Sequence, residues 1–263
     1  MMNLLDSLSA SGEKYDTGLI LSGGGTRGFA HAGILKALNE AEIYPDIISG
    51  VSAGAIVGAL YADGYSPDEM LEIFSEEDGF FNYARINFPG RGLFRSVGLG
   101  EKLAGKLKAE TFEELKIPLI ISATNLNKGE VVYFNEGKIV EKVLASAAIP
   151  VLFEPEEIDG ELHVDGGVLD NFPVTPLTGK CNKLVGISLN PIHPEEDFGN
   201  LFRIAERTFR LSVSSNISPK IDLCDMVFEP DELGSYGLLD TSRGKEVFEL
   251  GYRVASEQLK DNS

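Results

Sequence analysis

The chain has 263 residues, 43% of them apolar, enough to bury one sizeable core. Its 23 Lys and Arg stand against 41 Asp and Glu, a formal net charge of −18. That surface repels nucleic acid and anionic membrane, while a neutral or interfacial lipid is still an admissible partner because apolar burial needs no charge attraction.

In chain order, short apolar runs alternate with amphipathic stretches, the pattern of an α/β sheet with helices on its faces. The first strand is expected at 17–22 and ends in Gly23-Gly24-Gly25-Thr26-Arg27-Gly28. A helix over 29–41 follows, with Ala30, Ile34, Ala37 and Leu38 near helical spacing. A second strand at 46–50 runs into Gly50-Val51-Ser52-Ala53-Gly54, and a helix starts at Ser52 and stops at Asp63-Gly64. Phe74, Phe80, Phe81, Tyr83, Phe88 and Phe94 then crowd the Gly- and Pro-containing stretch 74–100, which reads either as an apolar lid or as a loop pinned by its aromatics. Further strands are expected at 117–123, 130–134, 161–164, 183–189 and 225–228, and two long helices at 198–217 and 242–259.

The chain shows no internal repeat or low-complexity linker, so it reads as one domain over 1–263, with a motif-bearing core at 17–190 and a C-terminal helical part at 198–259. Cys181 and Cys224 have no short pairing or metal spacing and read as buried free thiols. No basic n-region with an apolar h-region opens the sequence, and no apolar run approaches the roughly 18 residues of a membrane span. The expectation is a cytoplasmic protein with at most peripheral membrane contact.

Ser52 is the first residue that suggests chemistry. In Gly50-x-Ser52-x-Gly54 the glycines let strand and helix approach while the serine takes a strained backbone at a helix N-terminus, where developing negative charge is favoured. The plainer reading is a serine N-cap on a tightly packed helix. The turn at 23–28 has two readings. Gly23-x-Gly25-x-x-Gly28 fits a dinucleotide fingerprint, and Asp46 lies roughly 20 residues on, where a ribose-binding acid is expected. That acid should close the second strand, however, and Asp46 opens it. In the other reading the Gly24 and Gly25 amides face an oxyanion, and Arg27 either braces the loop through carbonyls or lies in solvent.

A serine nucleophile needs a base, and the histidines are His31, His163 and His193. His193 sits in a Pro-flanked loop, and His163 shares strand parity with Asp165 in a run that suits a packed histidine. Asp165, in Val164-Asp165-Gly166-Gly167, stands at a strand end with glycines that allow close backbone approach; alone, it reads as an ordinary Asp-Gly turn.

The blocks at 23–28, 50–54, Ala-Ser-Ala-Ala-Ile-Pro at 145–150 and Asp-Gly-Gly at 165–167 occur in one order that closely resembles the patatin-like phospholipases, over about 17–173. The resemblance implies a three-layer α/β/α sandwich around a mostly parallel central sheet. It implies lipid acyl hydrolysis by a Ser–Asp dyad, Ser52 as nucleophile and Asp165 as base, with Gly23, Gly24, Gly25, Thr26, Arg27 and Gly28 as the oxyanion and substrate-binding loop. Gly50, Gly54, Gly166 and Gly167 support the two motifs, and neither metal nor cofactor is implied. An acyltransferase using the same dyad is the alternative, ahead of a dinucleotide-binding protein and a non-catalytic scaffold. An aspartate base starts roughly 2–3 pKa units below histidine, a handicap of about 3–4 kcal/mol that burial would partly recover.

Overall fold

The structure, a computed structural model, describes residues 14–76, 97–196, 198–199, 201–237 and 240–261. Eight strands form one sheet: β1 (Tyr15–Leu21), β2 (Ile47–Gly50), β3 (Leu119–Asn125), β4 (Glu130–Phe134), β5 (Glu156–Ile158), β6 (Glu161–Asp165), β7 (Cys181–Ile187) and β8 (Met226–Phe228). Their order is β5-β6-β3-β2-β1-β7-β8, with β4 also on β3. Strands β3, β2, β1, β7 and β8 pair in parallel, and β4, β5 and β6 are antiparallel to their neighbours.

Alternation along β1 divides the core. Leu19 and Leu21 face a large cluster, and Ile20 faces a smaller one behind the sheet. The larger cluster is built by α1 (Gly28–Glu40), α2 (Ala53–Ala62), α3 (Pro67–Ser75), α4 (Val97–Lys106), α5 (Ile139–Ala147) and α8 (Gly244–Asp261). Behind the sheet lie Phe172, Val174, Leu177 and Ile217, beside the short helix α7 (Ser218–Ile221). Helix α6 (Leu201–Ser215) precedes it. This is the α/β/α layering that the resemblance implies.

Helix α2 is apolar all round, as a helix buried on every side must be. Helix α3 has a full capping box, with Ser66 and Glu69 exchanging side-chain and backbone hydrogen bonds ahead of Pro67. Strand β5 and helices α3, α4 and α5 were not expected from the sequence, and the single helix expected at 198–217 ends at Ser215 before α7. Of the aromatic stretch, Phe74 is buried edge-on against Phe29, with ring centroids 5.4 Å apart; residues 77–96 lie outside the described residues. Among the described residues no helix is long and apolar enough to cross a membrane.

Candidate active site

The sheet itself brings the two motifs together. Strand β4 holds one edge of β3 along Ile121–Asn125, so β2 and β6 share the other edge. Strand β2 runs parallel to β3 and stops at Gly50, opposite Ile121. Strand β6 runs the other way and stops at Asp165, opposite Ala123. The carboxyl ends of β2 and β6 therefore meet head to head, two residues apart on β3, a rise of about 7 Å.

Ser52 lies just past the end of β2 with φ 54° and ψ −120°, a left-handed backbone that costs a non-glycine residue roughly 1–3 kcal/mol. The surroundings hold it there. Its amide donates to Ser146 Oγ at 2.8 Å, and that hydroxyl donates to the Ser122 carbonyl at 2.7 Å, so α5 and β3 clamp the turn. A Cβ at Gly54 would lie 2.3 Å from the Leu21 carbonyl oxygen, which is why the first turn of the helix carries a glycine so close to β1.

Asp165 is buried, and burial pushes its carboxyl up from 3.8 to about 6, against hydrogen bonds from the Ser52 hydroxyl and the Gly167 amide, which favour the charged form. The Gly167 N–H reaches Asp165 Oδ1 at 2.7 Å. One small cavity, about 20 Å³, is lined by Gly24, Gly25, Ser52, Ile149, Asp165, Asn171, Asn190, Arg210 and Val213.

The glycine turn is set by what lies behind it. The Gly23 carbonyl accepts from Asn190 Nδ2 at 2.7 Å and from Ser22 Oγ at 2.9 Å. In a trans peptide the N–H points opposite to the C=O, so the Gly24 amide turns away from that clamp, and Gly24 lines the cavity. A Cβ at Gly23 would lie 2.3 Å from Asn171 Oδ1 and 3.2 Å from Ser52 Cβ, so only bare backbone fits beside the serine. Gly25, with φ 56°, opens a short 3₁₀ turn into α1. Thr26 and Arg27 point elsewhere: Thr26 Oγ1 donates to the Gly237 carbonyl at 2.9 Å. Arg27 is wholly buried and donates to the carbonyls of Leu189 (3.1 Å) and Tyr236 (3.0 and 2.6 Å). It braces the loop, as one of the two readings expected.

None of the three histidines lines the Ser52 cavity. His31 is buried with Nε2 2.8 Å from the Ser22 carbonyl, and desolvation lowers it to about 4, which keeps it neutral. His163 is packed edge-on to Phe134, and His193 lies on Asp231. Asp46 holds the Thr17 amide near the amino end of β1, at the opposite end of the strand from the glycine turn, where it can reach no ribose of a nucleotide bound at that turn. The dinucleotide reading loses its acid. Cys181 and Cys224 are free thiols, the first buried and the second half-buried.

Asn171, Asn190, Ser146 and Arg210 were not singled out from the sequence. Asn171 is the most telling of these, because its buried Nδ2 has no hydrogen-bond partner among the described residues and the side chain lines the cavity. Asn171 follows Asp165 by six residues on a loop fastened by Asp170, which accepts from Tyr133 Oη at 2.6 Å and Lys220 Nζ at 2.5 Å.

The α/β sandwich thus sets a strained serine at the carboxyl end of a parallel strand, beside a buried carboxylate. The sequence matches the Patatin-like phospholipase family model over residues 19–178, and the chain belongs to that family. It is 34% identical over 186 residues to an uncharacterized NTE family protein of Mycobacterium tuberculosis, covering 65% of this chain and 48% of that protein. It is also 24% identical over 287 residues to lysophospholipase nte1 of Aspergillus fumigatus, covering 92% of this chain and 18% of that protein. The chain thus spans about half the length or less of these relatives. Among solved structures, VipD from Legionella pneumophila superposes with a TM-score of 0.56 at 16% identity, covering 94% of this chain and 67% of that one. Human GIVD cytosolic phospholipase A2 superposes with a TM-score of 0.52 at 12% identity, covering 97% and 60%. These two likenesses are of fold.

Proposed function

We propose that this chain, acting as one domain in the cytoplasm, hydrolyses carboxylic esters of lipids, with lysophospholipids the substrate class. The observation that carries the reading is the shared cavity of Ser52, on its strained turn, and the buried Asp165, with no histidine in its lining. Ser52 Oγ bonds to the ester carbonyl carbon while Asp165 takes the hydroxyl proton. The amides of Gly24 and Gly25 donate to the oxyanion, and Asn171, which lines the cavity with its Nδ2 unpartnered among the described residues, donates to the same substrate. As the carbon–oxygen bond to the alcohol breaks, Asp165 returns the proton to the leaving oxygen. Water then adds to the acyl-enzyme, giving a proton to Asp165, and as the carbon–oxygen bond to Ser52 breaks Asp165 returns that proton to Ser52 Oγ, freeing the fatty acid.

Desolvation supplies what an aspartate base lacks. A carboxyl raised to about 6 recovers most of the gap to histidine. Access is the remaining requirement, because about 20 Å³ holds roughly one water and an acyl chain needs the wall formed by Arg210 and Val213 of α6 to yield.

Labelling with a fluorophosphonate serine probe, followed by peptide mapping, tests the assignment together with hydrolysis of lysophosphatidylcholine. Modification of Ser52 that disappears in Ser52→Ala, with loss of fatty-acid release, is the expected result. Labelling elsewhere, or release that survives in Ser52→Ala, refutes it. Fatty-acid transfer to an added alcohol in preference to water would convert the assignment to an acyltransferase.

A further inference from the structure

Next to the Ser52 cavity lies a larger one of about 270 Å³, whose wall includes His193, Glu195, Arg207, Arg210, Ser235 and Tyr236. Arg210 lines both. In a chain of formal net charge −18, this wall beside the Ser52 cavity carries two arginines against one carboxylate, Glu195. Arg207 is anchored, its Nη2 donating to the His193 carbonyl at 2.6 Å and its Nη1 3.6 Å from the Glu195 carboxylate. These contacts fix the guanidinium on the wall with donors to spare.

We infer that this second cavity receives the zwitterionic phosphodiester head group of a lysophospholipid whose ester lies at Ser52, with Arg210 and Arg207 on the phosphate and Glu195 facing the cationic end. The inference rests on the lipid-ester reading above. In a lysophospholipid only the glycerol backbone separates the acyl ester from the phosphate. A substrate with its carbonyl on the glycine turn therefore carries its phosphate into whatever adjoins that turn, and the residue at the junction is Arg210. A guanidinium suits a phosphodiester because its planar donors pair with two oxygens at once. The carboxylate on the same wall disfavours a bare dianion and suits a head group that ends in an ammonium.

Titration calorimetry of the full chain with glycerophosphocholine, and separately with inorganic phosphate, tests the site without requiring turnover. Glycerophosphocholine binds the wild type, more tightly than inorganic phosphate, and binding weakens about tenfold or more in Arg210→Gln and in Arg207→Gln, the loss expected of one charge-assisted hydrogen bond. Arg210→Lys, which keeps the charge, retains part of the binding, and Glu195→Gln narrows the preference over inorganic phosphate. In a kinetic arm, the ratio of kcat/KM for lysophosphatidylcholine to that for the matching monoacylglycerol falls about tenfold or more in Arg210→Gln. Absent binding in the wild type, equal binding in the arginine variants, or tighter binding of inorganic phosphate each overturns the head-group site. Hydrolysis of both esters with an unchanged ratio also overturns it while leaving the hydrolase reading intact. Glycerophosphocholine binding without hydrolysis of either ester supports the site and overturns the hydrolase reading.

Discussion

Asp165→Asn is expected to abolish hydrolysis and, at the same time, to make the protein more stable at neutral pH. Burial raises the carboxyl from 3.8 to about 6, so the folded state holds this proton more tightly than the unfolded chain. A group with a raised folded-state pKa contributes stability that is fully present below the unfolded value and is lost as pH rises through the folded one. About two pKa units at ~1.4 kcal/mol each set the cost of the charged carboxylate at about 3 kcal/mol above pH 6. Asparagine is isosteric, cannot ionise, and keeps an oxygen for the Gly167 amide, which now reaches Oδ1 at 2.7 Å. Urea unfolding of both proteins across pH measures the difference. The variant should be more stable by about 3 kcal/mol near pH 8, with the gap narrowing through pH 6 and closing toward pH 4. A variant no more stable than wild type near pH 8 would refute the desolvated carboxylate. A gap independent of pH would show that the gain has another source.

The same titration should appear in catalysis: kcat/KM for a p-nitrophenyl ester falls as pH drops through about 6, and a limb near 4 instead would mean a solvated base or a different one. Ser146→Ala removes the hydroxyl between the Ser52 amide and the Ser122 carbonyl, and should cost about 1–3 kcal/mol in denaturant unfolding and slow fluorophosphonate labelling of Ser52. Lys220→Met strands the buried Asp170 carboxylate and should cost about 3–5 kcal/mol, most of it recovered when Asp170→Asn is added, as a double-mutant cycle by unfolding will show.

The parts of the fold written in local pattern were legible in the sequence. Strands β1 and β2, helices α1 and α2 and the turns that join them follow from apolar runs that stop at glycine-framed corners, and their boundaries fall within a residue or two. Helix α3 was equally legible in principle, since Ser66-Pro67-Asp68-Glu69 is a capping box with Pro at the first helical position, but its last turn runs into the aromatic stretch that starts at Phe74, which blurs its helical period. Helix α5 was hidden by its own motif, because Ala145-Ser146-Ala147 read as part of the 145–150 block that carries the family resemblance and not as the last turn of an amphipathic helix. What local pattern does not encode is convergence. Nothing around Asn171 or Arg210 marks them, because their place in the cavity wall comes from a loop and a helix that the fold lays over the Ser52 turn. Ser146 lies inside the 145–150 motif, yet its part in carrying a hydrogen bond from β3 to the turn is visible only with the strand register in hand.

That register also connects the site's geometry with its chemistry. Because β2 and β6 run in opposite directions along one edge of β3, their ends abut inside the sheet, and the serine and the carboxylate reach each other from strand termini with no long loop between. A base supplied at such a junction is enclosed by β3, by the turn after β6 and by the Ser52 turn, so it is stripped of water by the same pairing that delivers it. Histidine in that position would be driven toward its neutral form and lower basicity, as happens to the buried His31, whereas a carboxyl is driven the other way. Burial that weakens an imidazole strengthens an aspartate. A site inside the sheet that excludes water therefore suits a carboxylate beside the serine better than an imidazole.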